Sequence, residues 1–323
     1  MYRVFKWNKS DDFIFLGGKV FNIKKQYLGA GLVCLAATMW GFDGIVLTPR
    51  LYQLNVAYVV FVLHLLPLIG MSILFGKSEI TNIKKLSKED LFFYFLIALF
   101  GGTLGTLSIV KALFLVNFNH LTVVTLLQKL QPVFAIILAR VLLGEKVGKN
   151  FIFWAIAALM SGYLLTFQFS LPHFEVGDNI GLASMYAVLA AFSFGSSTVF
   201  GKKILAHSTF RTALYTRYLF TSVITGLIVV ANGNLEWFLK TTPHQWMIFI
   251  IIGLTTGSGA VLLYYIGLRY IKANIATMCE LCFPVSSIVF DYIFNGRLLT
   301  SVQFISAGIL LFTIYKITRN QKN

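Results

Sequence analysis

Ten apolar runs, parted by short polar gaps, fill the chain after residue 26, at about 27–48, 54–75, 91–115, 118–142, 150–168, 180–200, 211–231, 246–268, 273–294 and 301–317. Each comes close to the ~20 residues a helix needs to cross a bilayer. Only Val116 to Asn119 separate the third and fourth runs. One helix through both would be too long for any bilayer, so two spans are predicted there. Residues 1–26 are mixed. They carry Arg3, Lys6, Lys9, Lys19, Lys24 and Lys25 around the apolar stretch Phe13 to Leu16, which is too short to span. A cytoplasmic tail that rests its aromatics on the membrane surface is expected.

Composition agrees with the pattern. Hydrophobic residues make up 57% of the 323 and charged residues 12%, against about 45–50% and about 25% in soluble domains. Mean hydropathy is +0.78. A disordered chain and a water-soluble enzyme are both excluded. The net charge of +15 does not point to nucleic acid, because the basic residues sit in the gaps between apolar runs. With the N-terminus inside, 20 of the 27 Lys and Arg residues face the cytoplasm. Arg50, Lys240 and Arg297 fall outside, and Lys111, Lys129, Arg140 and Arg217 fall within spans. The excess of Lys and Arg predicts a multi-pass plasma-membrane protein with both termini cytoplasmic.

The second half echoes the first. Pro132 matches Pro284 and Gly144 matches Gly296, each 152 residues apart. Ala98, Gly102, Thr103 and Ala112 match Gly253, Gly257, Ser258 and Gly267 at an offset of 155, and Trp40-Gly41 resembles Phe194-Gly195. Five spans per copy is odd, so the second copy must lie upside down. Inverted repeats are a common architecture of secondary transporters, with the substrate site near the midplane. The predicted fold is an all-α membrane protein of ten transmembrane helices in two inverted five-helix repeats. The predicted divisions are a tail at 1–26, repeats at 27–168 and 180–317, an external linker at 169–179 and a tail at 318–323.

The chain resembles the EamA-type transporters of the drug/metabolite transporter superfamily. The resemblance rests on Trp40-Gly41, on Lys111-Ala112-Leu113, and above all on Gln131-Pro132-Val133-Phe134 through Leu143-Gly144-Glu145-Lys146, with Gly162. The second copy keeps Pro284 but has Gly296-Arg297 where the family pattern has Gly-Glu. The resemblance implies a central cavity built mainly from spans 1, 3, 4, 6, 8 and 9. It also implies transport, often export, of small metabolites such as amino acids, in a bacterial inner membrane.

Candidate residues follow from chemistry. A proline inside a helix removes one hydrogen bond and disturbs the carbonyl four residues earlier. Such breaks are tolerated in membranes where they line a cavity. Pro132 and Pro284 would loosen the carbonyls of Gln128 and Glu280, which are equivalent polar positions. Glu280 is the foremost candidate for substrate binding and proton coupling, because a charge in mid-bilayer is costly and must earn its place. Lys129, near the middle of span four, could pair with Glu280 or Asp43 or bind a substrate carboxylate. Gln131 lies about 200° around a continuous helix from Lys129, so one of the two is expected to face away. Trp40 and Asp43 in span one and His64 in span two are further cavity candidates. Lys111, Arg140, Asp291 and Arg217 are read as snorkelling side chains.

No metal, catalytic residue or cofactor is expected. Cys279-x-x-Cys282 has only Cys34 to join it, so packing is the preferred reading. Gly101-x-x-x-Gly105 and Gly253-x-x-x-Gly257 would let helices approach closely, or slide during transport. No P-loop occurs, which argues against ATP-driven transport by this chain. The expected function is alternating-access movement of a small polar metabolite, an amino acid or a relative, with export favoured. The expected partners are that substrate, the lipid bilayer and protons, with no nucleic acid, in a monomer or homodimer. Rival readings are an importer or exchanger of a cation such as S-adenosylmethionine, a cationic-drug exporter, a scaffold or receptor subunit with a dry core of paired charges, and a membrane-embedded enzyme.

Overall fold

The computed structural model describes residues 13–16, 19–22, 25–116, 124, 127–169, 178–296 and 298–320. In the expected tail, β1 (Phe13–Leu16) and β2 (Lys19–Asn22) form an antiparallel hairpin that pairs Phe13 with Asn22. The helices are α1 (Lys25–Leu51), α2 (Val56–Lys84), α3 (Lys88–Leu115), α4 (Gln131–Leu142), α5 (Lys149–Phe167), α6 (Asn179–Ile204), α7 (Phe210–Ala231), α8 (Pro243–Tyr270), α9 (Ala273–Asn295) and α10 (Ser301–Arg319). Among the described residues, nine are long and apolar enough to cross a membrane, and α4 is a shorter apolar helix. Much of the first half of the fourth expected span lies outside the described residues.

Helix α2 runs to Lys84, well past its expected end at 75. Its last turns are polar, and they persist because another helix satisfies them. Glu79 is fully buried and takes hydrogen bonds from Arg211 and Thr212 at the start of α7. Apolar-run length therefore understates a helix whose polar end is clamped by a neighbour.

The packing shows the repeat. Helix α1 lies on α8 and α9, and α6 lies on α3 and α4. Helix α2 packs on α7, and α5 on α10. Adding or subtracting five from every helix number returns the same set of pairs. One pair of irregular turns follows the same rule: α3 and α8 each carry a π-helical turn, at Ala98–Leu104 and Gly253–Gly257, whereas the π turn of α1 at Asp43–Leu47 has no counterpart in α6.

Two glycines explain how the halves meet. A Cβ added at Gly41 would lie 3.0 Å from the Phe283 carbonyl of α9, and one at Gly195 would lie 2.8 Å from the Gln131 carbonyl of α4. These are the matching positions of the Trp40-Gly41 and Phe194-Gly195 pairs, and each lets α1 or α6 press on the backbone of a broken helix. The Gly-x-x-x-Gly expectation holds for α3, where a Cβ at Gly105 would lie 2.8 Å from the Phe194 ring. It does not hold for Gly253 and Gly257. A Cβ at the first would meet Pro67 only at 3.8 Å, and one at the second would meet its own helix at the Ile252 carbonyl. These two glycines bound the π turn instead.

Gly144 and Gly296 both have left-handed backbones, with φ of +65° and +68°, and turn the chain after α4 and α9. The following Glu145 then caps α9, accepting from the backbone N–H of Ala273 at 2.8 Å and of Asn274 at 3.1 Å. A carboxylate at a helix N-terminus satisfies orphan donors and meets the positive end of the helix dipole. The Gly-Glu pair of the first repeat thus anchors the start of the helix that carries Glu280.

Gly195→Ala should push α6 from α4 and destabilise the protein by about 1–3 kcal/mol, the usual range for overpacking. Gly31→Ala, where a Cβ meets nothing within 4 Å, should leave the thermal midpoint in detergent unchanged or raised. Equal midpoints for the two variants would contradict the close approach.

Candidate functional site

Two broken helices frame the site. Helix α9 is interrupted at Glu280 and Leu281, between the segments Ala273–Cys279 and Cys282–Asn295. The carbonyl of Glu280, expected to be loosened by Pro284, is taken instead by the Phe283 N–H at 3.0 Å. In the first repeat, Lys129 and Leu130 form a turn and α4 begins at Gln131. Pro132 thus lies in the first helical turn, where its missing donor costs nothing. The prolines mark where helices restart, rather than kinks within them.

The breaks present side chains that a continuous helix could not. Gln131 Nε2 donates across the repeat boundary to Glu280 Oε2. Tyr264 on α8 donates to Glu280 Oε1 at 2.9 Å. Thr198 Oγ1 on α6 lies 3.3 Å from the same carboxylate oxygen and 2.7 Å from the Tyr264 hydroxyl. The Trp40 ring packs against Tyr264, with centroids 5.5 Å apart. The carboxylate is therefore held by neutral donors from three other helices.

Lys129 is not paired with Glu280 or Asp43. Its ammonium donates to the Gly162 carbonyl and the Thr166 hydroxyl of α5. Gly162 leaves the space for that side chain, since a Cβ there would lie 3.7 Å from it. Lys129 and Gln131 both line the cavity, contrary to the helical-wheel expectation, because the turn between them resets the angular count. Asp43 opens a π turn of α1 and accepts from the Thr48 hydroxyl at 3.0 Å. His64 is buried, its Nδ1 lies 2.8 Å from the Val60 carbonyl, and its ring leans on Tyr218.

A cavity of about 370 Å³ joins these groups, within the ~300–1,000 Å³ of small-molecule sites. Trp40, Asp43, His64, Gln128, Lys129, Glu280, Pro132 and Pro284 all line it. Helices α1, α3, α4, α6, α8 and α9 contribute, as the resemblance implied; α2 and α7 contribute as well, through His64 and Arg217.

Arg217 was expected to snorkel and does not. It turns into the cavity, and Nη2 donates to the Gly101 carbonyl at 2.9 Å. That carbonyl lies in the π turn of α3 and also accepts from the Thr106 hydroxyl at 3.1 Å. Depth along the sequence could not show this, because the signal was the matching disruption on α3. Lys111 and Arg140 are exposed, in keeping with snorkelling. Cys279 and Cys282 are buried in a hydrophobic cluster against which Cys34 packs, a packing role.

Comparison with known proteins completes the picture. The model of the EamA-like transporter family matches residues 27–167 and again 181–319. The Riboflavin transporter ImpX of Fusobacterium nucleatum is 66% identical over 90% of this chain and 97% of its own. A protein of Rhizobium johnstonii named Riboflavin transporter is 27% identical over 59% of each chain. A solved crystal structure superimposes with a TM-score of 0.66 over 93% of this chain and 98% of its own, at 14% identity, which shows the fold alone.

Ser287 of α9 lines the cavity together with Gln128, so in a cysteine-free background Gln128→Cys and Ser287→Cys should both react with a water-soluble thiol reagent in the ligand-free protein. Protection of both positions would mean that the cavity is closed to water.

Proposed function

The chain belongs to the EamA-like transporter family, and from that premise we propose that it moves riboflavin across its membrane by alternating access. The observation that carries the reading is the 66% identity to a protein named a riboflavin transporter, over nearly that protein's whole length. The cavity suits such a cargo. Riboflavin joins a flat fused ring to a polyhydroxyl chain, and so needs aromatic walls together with convergent polar groups. Trp40, Phe194, Tyr218, Tyr264 and Phe283 supply the walls. Glu280, Gln131 and Thr198 supply polar groups on the boundary between the repeats.

Glu280 is proposed as the proton-coupling residue, with Gln128, Lys129, Asp43, Trp40 and His64 as further binding residues. The excess of Lys and Arg on the side that carries the termini supports a cytoplasmic position for both ends. An amino-acid cargo and outward movement find no support in the relatives' names. A cationic cargo is disfavoured, because Lys129 and Arg217 line the cavity and neither has a carboxylate partner among the described residues. A scaffold with a dry core would not leave an open cavity at the repeat boundary.

Proteoliposomes holding the purified chain should show saturable riboflavin flux above that of empty vesicles. Glu280→Gln should lower it at least about tenfold, equivalent to about 1.4 kcal/mol, and should remove any acceleration by a pH gradient. Wild-type flux no faster than that of empty vesicles would overturn the proposal.

A further inference from the structure

Two groups of opposite charge line the cavity on different helices, Glu280 on α9 and Arg217 on α7. Glu280 accepts from neutral groups and still has lone pairs to offer. Arg217 carries a charge that no carboxylate balances within ion-pair distance among the described residues. Its Nη2 is engaged with Gly101, and Nη1 reaches the Tyr265 hydroxyl only at 3.4 Å. Its Nε has no partner, and neither does the hydroxyl of the adjacent Tyr218, although both atoms are shielded from solvent. Arg217 and Tyr218 line the same cavity wall as His64. Buried donors without partners are uncommon and expensive. Nine buried side-chain polar atoms lack partners among the described residues; these two fall on consecutive residues of one cavity wall, beside a guanidinium charge that no carboxylate balances, a setting that suits a ligand rich in acceptors.

Riboflavin has such an edge. The pyrimidine part of its ring presents two carbonyl oxygens with an N–H between them. A guanidinium donates to acceptors in a planar fork, and a phenol can both donate and accept. The sugar-alcohol chain has the opposite need, because its hydroxyls can donate to a carboxylate. Building on the riboflavin reading, we propose that Arg217 and Tyr218 bind the carbonyl edge of the flavin ring, while the Glu280 cluster takes the hydroxyl chain. Ring recognition and chain recognition are then separable.

The test compares riboflavin with lumiflavin, which keeps the ring and lacks the hydroxyl chain, by flavin fluorescence titration of the purified protein. Arg217→Gln should weaken both ligands by about 10- to 100-fold, the range for a lost hydrogen bond to a charged group. Glu280→Gln should weaken riboflavin and leave lumiflavin affinity unchanged. Tyr218→Phe guards against a folding defect, since it removes a hydroxyl that has no partner. It should leave the ligand-free thermal midpoint unchanged or raised, because an unsatisfied hydroxyl is removed, and weaken lumiflavin about three- to tenfold. If Tyr218→Phe and a folded Arg217→Gln bind lumiflavin as the wild type does, the assignment is overturned and the riboflavin reading stands. A wild type that binds neither flavin overturns both.

Discussion

A carboxylate in the middle of a bilayer has to be given donors, and much of this structure is arranged around that demand. Glu280 stands in an apolar span, and a charge in mid-bilayer costs at least ~2.5–3.5 kcal/mol on insertion scales. The donors come from α4, α6 and α8, so three helices must converge on one point of a fourth. Convergence requires α9 to open at Glu280 and α4 to begin at Gln131, which brings the Gln131 carboxamide to the carboxylate. It also requires α1 and α6 to approach those helices at backbone distance, which Gly41 and Gly195 allow. The cavity is the space left by helices that meet at their breaks rather than along their lengths.

The repeat explains why such a site lies where the two halves meet, and its imperfections explain why the site is asymmetric. Both copies place a proline after a break and a left-handed glycine at the helix end. Only the first copy follows that glycine with a glutamate, and this glutamate caps α9. Arg297, at the matching place in the second copy, lies outside the described residues and carries the wrong charge for the same role. Likewise Gln128 and Glu280 are equivalent in sequence, yet Glu280 finds its partner at Gln131. Broken symmetry at the repeat boundary gives the cavity one carboxylate held by neutral donors and, on other elements, the cations Lys129 and Arg217.

Much of this was legible in the sequence because it depends on residue type and spacing. Apolar runs located the spans, and the paired prolines and glycines located the repeat. Glu280, Lys129, Asp43, Trp40 and His64 stood out as groups that hydrocarbon would not tolerate or that a known motif marked, and all of them face one cavity. What the sequence hid depends on where helices stop being regular. Counting 100° per residue turned Gln131 away from the site, because the count assumed a helix through Lys129 and Leu130. Position along the span makes Arg217 look like a snorkelling side chain, because its partner, a carbonyl in the π turn of α3, leaves no trace in its own helix. The length of α2 was underestimated for a related reason: Glu79 reads as polar until Arg211 and Thr212 are placed beside it.

The most direct test of the account is a structure of the protein in lipid nanodiscs with riboflavin bound. The account expects flavin density inside the cavity between the α4–α9 break and α7, with its hydroxyl chain toward Glu280 and its ring edge toward Arg217. Riboflavin bound at saturation outside that cavity, with the cavity empty or filled by lipid, would contradict it.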